Sequence, residues 1–371
     1  MKKICILQNS MNYGGTDTFV INLCKGLVFD GYDVTVILSM DKDEIPPREK
    51  DLIDTGVRIK KTCNLNGTVS KFKHLKLLYK ELRKEKYDIF HSNIDLFNGP
   101  QMMIAWIAGI KIRVCHSHNS QQGRELNHGK TLSVKIYQKI MRWLCWNFSN
   151  RRCGCSEAAL NFLFQDKWKK DHMTKVIHNG IDLSVYTNVS SRRKEKRYLG
   201  TKNRYNICTV GRISYQKNPE FILDTFFELS KIRDDIHLLW CGSGEDEKKI
   251  KSKIENYNLG NMVEMLGSRN DIPKILENSD LFFLPSRFEG LGIVLVEAQA
   301  AGLPCVISDV IPHEVDCGLC YPISLKESPN YWALQINNIL EEKLFFHLDE
   351  EKLKTYSIDN MIKEMEEVFK Q

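Results

Sequence analysis

A chain of 371 residues exceeds what one hydrophobic core usually fills, so two domains are expected. With 42% hydrophobic and 27% charged residues, and no repeat or low-complexity tract, the composition excludes a disordered or fibrous chain. The net charge of +6 hides an asymmetry: residues 1–175 carry 29 Lys and Arg against 17 Asp and Glu, or +12, and the rest carry 24 against 30, or −6. A basic first half is either a solvated face or a surface for an anionic partner, with a membrane leaflet and nucleic acid as the candidates.

The opening MKKICILQNS holds only a short apolar run, too brief for a secretory leader, and reads as a first buried strand at 4–8. Helical stretches at 18–30, 75–86 and 99–109 then alternate with strand-like runs at 33–39, 88–92 and 113–118. This β-α rhythm implies an α/β fold with parallel sheets. The most apolar stretch, 102–112, is about half a bilayer span and contains Gly109 and Lys111, so no transmembrane helix is expected.

The rhythm restarts near Asn206, with strands expected at 207–210, 236–241, 263–266, 281–284 and 305–308 and helices at 220–230, 245–258 and 293–301. Between the two series the polar, basic SSRRKEKR at 190–197 looks like a linker. The expected domains are therefore 1–185 and 186–356. A last helix carries apolar Met361, Met365 and Phe369 four residues apart and can dock on either domain.

Twelve cysteines are scattered, several inside strand-like runs (Cys5, Cys208, Cys241), and fit reduced thiols in a cytoplasmic protein. Neither Cys317-Gly-Leu-Cys320 nor Cys153-Gly-Cys155 has the second pair a zinc site needs. Asp41-Lys-Asp43 is a D-x-D that could suggest a divalent cation, but it sits in the charged loop DKDEIPPREK, where solvation explains it. No metal is expected.

Four loops carry candidate chemistry. Gly14-Gly15-Thr16 lies between the first strand and the helix that follows, where glycines admit close backbone approach and a helix start favours an anion; a tight turn explains it equally well. His116-Ser-His118-Asn119 ends a strand, the edge where ligands gather in open sheets, so His118 can face a sugar or be a plain polar loop residue. Gly211-Arg212 after the first strand of the second series, with Lys217-Asn218-Pro219 beginning the next helix, sets two cations where a diphosphate could be gripped. In FEGLGIVLVE, Glu289 and Glu297 flank a glycine turn into a helix. The amides of Gly290, Leu291, Gly292 and Ile293 can hold phosphate oxygens there, and the two carboxylates can accept sugar or ribose hydroxyls. The same glutamates can alternatively be a hydrolase acid–base pair, or a helix cap with a surface carboxylate.

Together these residues resemble retaining glycosyltransferase family 4, whose members often build capsules, exopolysaccharides or glycolipids. The resemblance spans most of the chain and is most specific over 206–308, with Gly-Arg…Lys-Asn, CGSGEDEKKI, LGSRNDIP and PSRFEGLGIVLVEAQAAGLP, whose glutamates bracket seven residues. The first half matches through the Gly-Gly loop, the His118 loop, Ser156-Glu157 and His178-Asn179-Gly180-Ile181-Asp182. The resemblance implies a GT-B fold: two Rossmann-like domains with parallel sheets facing across a cleft, the first binding acceptor and the second a nucleotide-sugar.

It also implies diphosphate on Arg212, Lys217 and the amides from Gly290 to Ile293, ribose on Glu297, donor sugar on Glu289 and His118, and the base beside Arg269. The last helix, 357–371, would return to the first domain. The donor would be a UDP-sugar by family frequency, the acceptor a glycan or lipid-linked glycan, and the reaction retaining and metal-independent. One departure stands out: the first loop has Asp17 where many relatives have glutamate. Rival readings are a sugar-nucleotide epimerase or phosphorylase on the same fold, and a silent partner of another transferase. No nucleic acid is expected, since the basic residues are not interleaved with aromatics; a peripheral position at an anionic membrane would use the basic first domain.

Overall fold

The computed structural model describes residues 1–120, 131–186 and 204–370, so the expected linker at 190–197 lies outside the described residues. The chain forms two compact units, Met1–Gly180 with Ile358–Gln371, and Ile181–Ser357. The break precedes the anticipated 185/186 because Ile181 donates its N–H to the Tyr356 carbonyl (2.8 Å) and bridges Ser357, which ties 181–186 to the second unit.

The first unit is built on a seven-stranded sheet: β1 (Lys3–Gln8), β2 (Asp33–Leu38), β3 (Arg58–Lys61), β4 (Ile89–Ser92), β5 (Ile112–Ser117), β6 (Arg151–Gly154) and β7 (Thr174–Val176). The order is β3-β2-β1-β4-β5-β6-β7, with parallel pairing throughout. Its helices are α1 (Gly15–Phe29), α2 (Glu49–Ile53), α3 (Thr68–Glu85), α4 (Asn98–Ile107), α5 (Leu132–Phe148) and α6 (Glu157–Phe164). Continuous apolar runs such as Ile4-Cys5-Ile6-Leu7 are fully buried, as strands covered on both faces must be.

The second unit repeats the plan with β8 (Tyr205–Val210), β9 (Ile236–Cys241), β10 (Val263–Gly267), β11 (Leu281–Leu284), β12 (Cys305–Ser308) and β13 (Cys320–Ile323), in the order β10-β9-β8-β11-β12-β13. Around it lie α7 (Pro219–Ser230), α8 (Glu247–Asn256), α9 (Ile272–Glu277), α10 (Ile293–Ala300), α11 (Pro329–Leu340) and α12 (Glu350–Lys354). The final α13 (Ile358–Lys370) buries Met361, Met365, Val368 and Phe369 in the same core as Ile4 and Phe19 of the first unit. Gly26 on α1 permits this docking, since a Cβ there would lie 2.0 Å from Ile362.

In both sheets the strand order reverses beside the first strand, at β1/β4 and at β8/β11. Open parallel sheets bind ligands beyond the carboxyl ends of strands at such a reversal. The Gly14 and His118 loops follow β1 and β5; the Arg212 and Glu289 loops follow β8 and β11. None of the twelve cysteines forms a disulfide, and eleven of them are buried. Asp41 of the D-x-D accepts a hydrogen bond from Asn64 Nδ2 at 2.8 Å, and no group of residues suited to a metal occurs among the described residues.

Candidate functional site

In the second unit, the turn Tyr215–Lys217 is fastened to the loop after β11. Arg287 donates its N–H to the Gln216 carbonyl (2.8 Å) and Nη1 to the Tyr215 carbonyl (2.7 Å), while Gln216 Nε2 reaches the Phe288 carbonyl (3.2 Å). This brings Lys217 Nζ to 2.5 Å from Glu289 Oε1, with Gln216 Nε2 at 3.3 Å from Oε2. The Lys217 and Glu289 side chains are 16% and 6% exposed, so this ion pair is shielded from water. Desolvated charges of this kind are costly unless paired, and each fixes the other.

Close backbone approach sets the floor of the loop. Gly211 lies against the Lys217 stem, and Gly242, at φ +141°, would bring a Cβ to 1.9 Å from the Gly211 carbonyl oxygen. Gly292, at φ +84°, is the residue before α10. The amides of Ile293 and Val294 open α10 at its positive end, ahead of the Leu295 N–H, which donates to the Gly292 carbonyl (2.8 Å). Gly290 and Leu291 are buried just ahead of it.

Arg212 behaves differently from Lys217. Its Nε lies 3.3 Å from Glu245 Oε2 with the arginine side chain 75% exposed, a loose pair that leaves it mobile enough to change partners. Arg269 is forked onto Asp271, with Nε to Oδ1 and Nη2 to Oδ2 both 2.7 Å. Glu297 on α10 accepts the hydroxyl of buried Tyr186, a residue the sequence did not suggest. It keeps some surface exposed, yet burial pushes its carboxyl up to about 7, partly opposed by the Tyr186 hydrogen bond.

In the first unit, Gly14 ends the β1 loop and its N–H donates to Asp17 Oδ2 (3.1 Å), while Gln8 Nε2 donates to Oδ1 (2.8 Å). Asp17 therefore caps α1 from within, and burial raises its carboxyl while the Gln8 bond lowers it. At the start of α1, Gly15 accepts at 3.5 Å from Asn179 of the His-Asn-Gly segment, with Thr16 next to it. Ser156 caps α6 by accepting the Ala159 N–H at 3.1 Å.

His118 is buried at the end of β5, stacked on His116 (centroids 4.2 Å) and 5.0 Å from the ring of Phe19. Asn93, just past β4, donates Nδ2 to the Leu7 carbonyl (3.3 Å), which leaves its Oδ1 to accept from His118 Nε2 at 2.9 Å. That arrangement assigns the proton to Nε2 and makes Nδ1 a lone-pair acceptor, buried and unpartnered among the described residues. Burial also pushes the His118 imidazole down to about 3, so it is neutral at pH 7. Asp95, at φ +43°, accepts the backbone N–H groups of His118 (2.9 Å) and Asn119 (3.3 Å) and the Asn119 side-chain amide, holding this turn in place. Asn93 and Asp95 were missed in the sequence; their only signal was position just beyond a central strand.

Two parallel α/β units, each with its polar loops at the carboxyl ends of the central strands, are the plan of the GT-B fold. Residues 13–185 match the family model described as Glycosyltransferase Family 4, and residues 191–316 match Glycosyl transferases group 1. The chain is 31% identical over 270 residues to the UDP-Gal:alpha-D-GlcNAc-diphosphoundecaprenol alpha-1,3-galactosyltransferase of Escherichia coli, covering 70% of this chain and 68% of that one. It is 25% identical over 376 residues to the capsular polysaccharide biosynthesis glycosyltransferase CapH of Staphylococcus aureus, covering 100% and 99%. Among solved structures, Anabaena HepE in complex with UDP and glucose superposes with a TM-score of 0.81 at 19% identity over the whole of both chains. The chain belongs to glycosyltransferase family 4, within the group 1 glycosyl transferases, and is an enzyme of the hexosyltransferase type.

Proposed function

We propose that this enzyme moves a hexose from a UDP-sugar to a glycan or lipid-linked acceptor in surface polysaccharide or glycolipid assembly, with retention at the anomeric carbon and without a metal. The observation that carries the reading is the shielded Lys217–Glu289 pair beside the start of α10, which sets a cation, a carboxylate and helix-end amides around one loop. The relatives' activities support the acceptor class, and the UDP bound to HepE supports the donor.

In this reading Arg212 turns from Glu245 to the diphosphate, Lys217 adds a second charge, and the amides from Gly290 to Ile293 receive phosphate oxygens. Glu297 accepts the ribose hydroxyls. Arg269 is engaged by Asp271, so the base is read by the main chain of that loop. Glu289 accepts a donor-sugar hydroxyl in the second unit, and His118 Nδ1 is the sugar-facing acceptor of the first unit. As the bond from the anomeric carbon to the diphosphate breaks, the acceptor hydroxyl attacks on the same face and its proton passes to the departing phosphate. Fixed positive charge stabilises the leaving group, an electrostatic effect already oriented before reaction.

Thermal stabilisation by UDP, GDP and ADP in the presence of EDTA tests this. A ligand at about a hundredfold over its dissociation constant adds about 2.7 kcal/mol. UDP alone should stabilise, and Glu297→Ala should abolish the effect. Stabilisation only with added metal, or by no nucleotide, rejects the reading.

A further inference from the structure

The outer face of α5 is apolar where a surface helix is normally polar. Leu132, Ile136, Ile140 and Trp143 fall at i, i+4, i+8 and i+11, one stripe of a helix, and are 74%, 51%, 50% and 56% exposed. The stripe continues onto α4: the ring of Phe148 lies 6.1 Å from Trp143 and 5.3 Å from Trp106, which is itself 55% exposed. The inner face of α5 is already used, with Gln138 and Cys145 buried. The fold does not need the stripe. Scattered apolar residues at a surface are ordinary, but a contiguous patch with two tryptophans marks a contact.

Charge identifies what that contact is. Lys135 and Lys139 are exposed along one flank of the stripe, and neither forms an ion pair among the described residues. Residues 101–150, which span α4 to α5, contain seven Lys and Arg against a single acidic residue, Glu125. An anionic lipid leaflet offers apolar depth and continuous negative charge side by side, and tryptophan rings partition to its headgroup layer. No described helix is long and apolar enough to cross a membrane, so the contact is peripheral.

We propose that α5 and the end of α4 dock the first unit on an anionic bilayer surface, the stripe entering the headgroup boundary and Lys135 and Lys139 meeting lipid phosphates. This does not rest on the donor assignment, because it is read without turnover.

The experiment is co-sedimentation of the full chain with vesicles of phosphatidylcholine, alone or with about one-third phosphatidylglycerol, at about 0.05 M and 0.5 M salt. The protein should pellet with the anionic vesicles at low salt, and high salt should release it. Trp143→Ser with Ile140→Ser should weaken binding by about tenfold or more, and Lys135→Glu with Lys139→Glu should erase the preference for anionic lipid. The changed residues are exposed, so unaltered melting temperatures should show the variants folded. Equal wild-type binding to both vesicles, or variants that bind like wild type, overturns the proposal. So does a wild-type dimer that the Trp143/Ile140 variant splits while keeping vesicle affinity, since the stripe would then belong to a second copy.

Discussion

Replacing Glu297 with Gln is expected to stabilise the second unit near neutral pH, the reverse of the usual effect of altering a packed residue. Burial holds this carboxyl at about 7 against an ordinary 4.5, so the folded chain binds the proton more tightly than the unfolded one. Stability from this group is therefore complete below about pH 4.5 and is lost as pH rises through about 7. At about 1.4 kcal/mol per tenfold, the loss approaches about 3 kcal/mol by pH 8. Glutamine stays neutral and can still accept the Tyr186 hydroxyl. Denaturant unfolding of both proteins at about pH 4.5, 6 and 8 should give a gap near zero at the acid end and about 2–3 kcal/mol at the basic end. No gain at pH 8, or an equal gap at every pH, refutes the reasoning. The same logic reaches the ligand. Ribose hydroxyls donate best to the ionised carboxylate, so UDP affinity should rise with pH through about 7 in the wild type beyond any change seen with the glutamine variant.

Lys217→Met should cost about 3 kcal/mol in denaturant unfolding, because it strands the Glu289 carboxylate in its shielded loop; Lys217→Met with Glu289→Leu should recover part of that. A loss under about 1 kcal/mol would mean that solvent screens the pair. Arg212→Ala should change stability by no more than about 0.5 kcal/mol, given its exposed partner, yet weaken UDP binding about tenfold by calorimetry. Asn93→Ala should leave UDP affinity intact while the transfer rate falls by about a hundredfold, through loss of the His118 orientation. Gly242→Ala should destabilise by about 3 kcal/mol or more, since its methyl would meet the Gly211 carbonyl at 1.9 Å.

The sequence was most legible where one physical requirement acted alone. The strands β1, β11 and β12 are buried, largely apolar runs, so composition and burial coincide. The strands β3, β6, β7 and β13 were not foreseen. In β6 the side chains of Arg151 and Arg152 are buried, and Arg152 is held by Asp171 (2.8 Å), the Trp146 carbonyl (2.8 Å) and the Trp146 ring 4.1 Å away, partners that no local pattern announces. Helix α5 escaped for the opposite reason, since its apolar residues face both ways and blur the period. Helix α1 begins at Gly15, before the expected 18, because Asp17 caps it internally. Arg212, Lys217, Glu289 and Glu297 stood out because each lies in a compact local motif. Asn93 and Tyr186 act on residues 25 and 111 positions away, and a partnership at that range exists only once the sheet has formed.

The cations of the second unit share one property that bears on how a diphosphate would be recognised. Arg212, Lys217 and Arg269 each face a carboxylate, from Glu245, Glu289 and Asp271. Binding is then an exchange of partners, and the net gain is the difference between phosphate and carboxylate, well below the full attraction of a bare charge. The exchange is easiest at Arg212, whose present bond is the longest and most exposed, and hardest at Arg269, held by two bonds of 2.7 Å. Lys217 lies between: it can reach a phosphate oxygen without abandoning Glu289, because an ammonium has three donors and a carboxylate uses one. A diphosphate that drew Arg212 inward and shared Lys217 would leave Glu289 still anchored, and a sugar hydroxyl would share its second oxygen with Gln216 Nε2. On this argument Arg212 governs affinity, Lys217 and Glu289 act as a unit, and Arg269 shapes its loop.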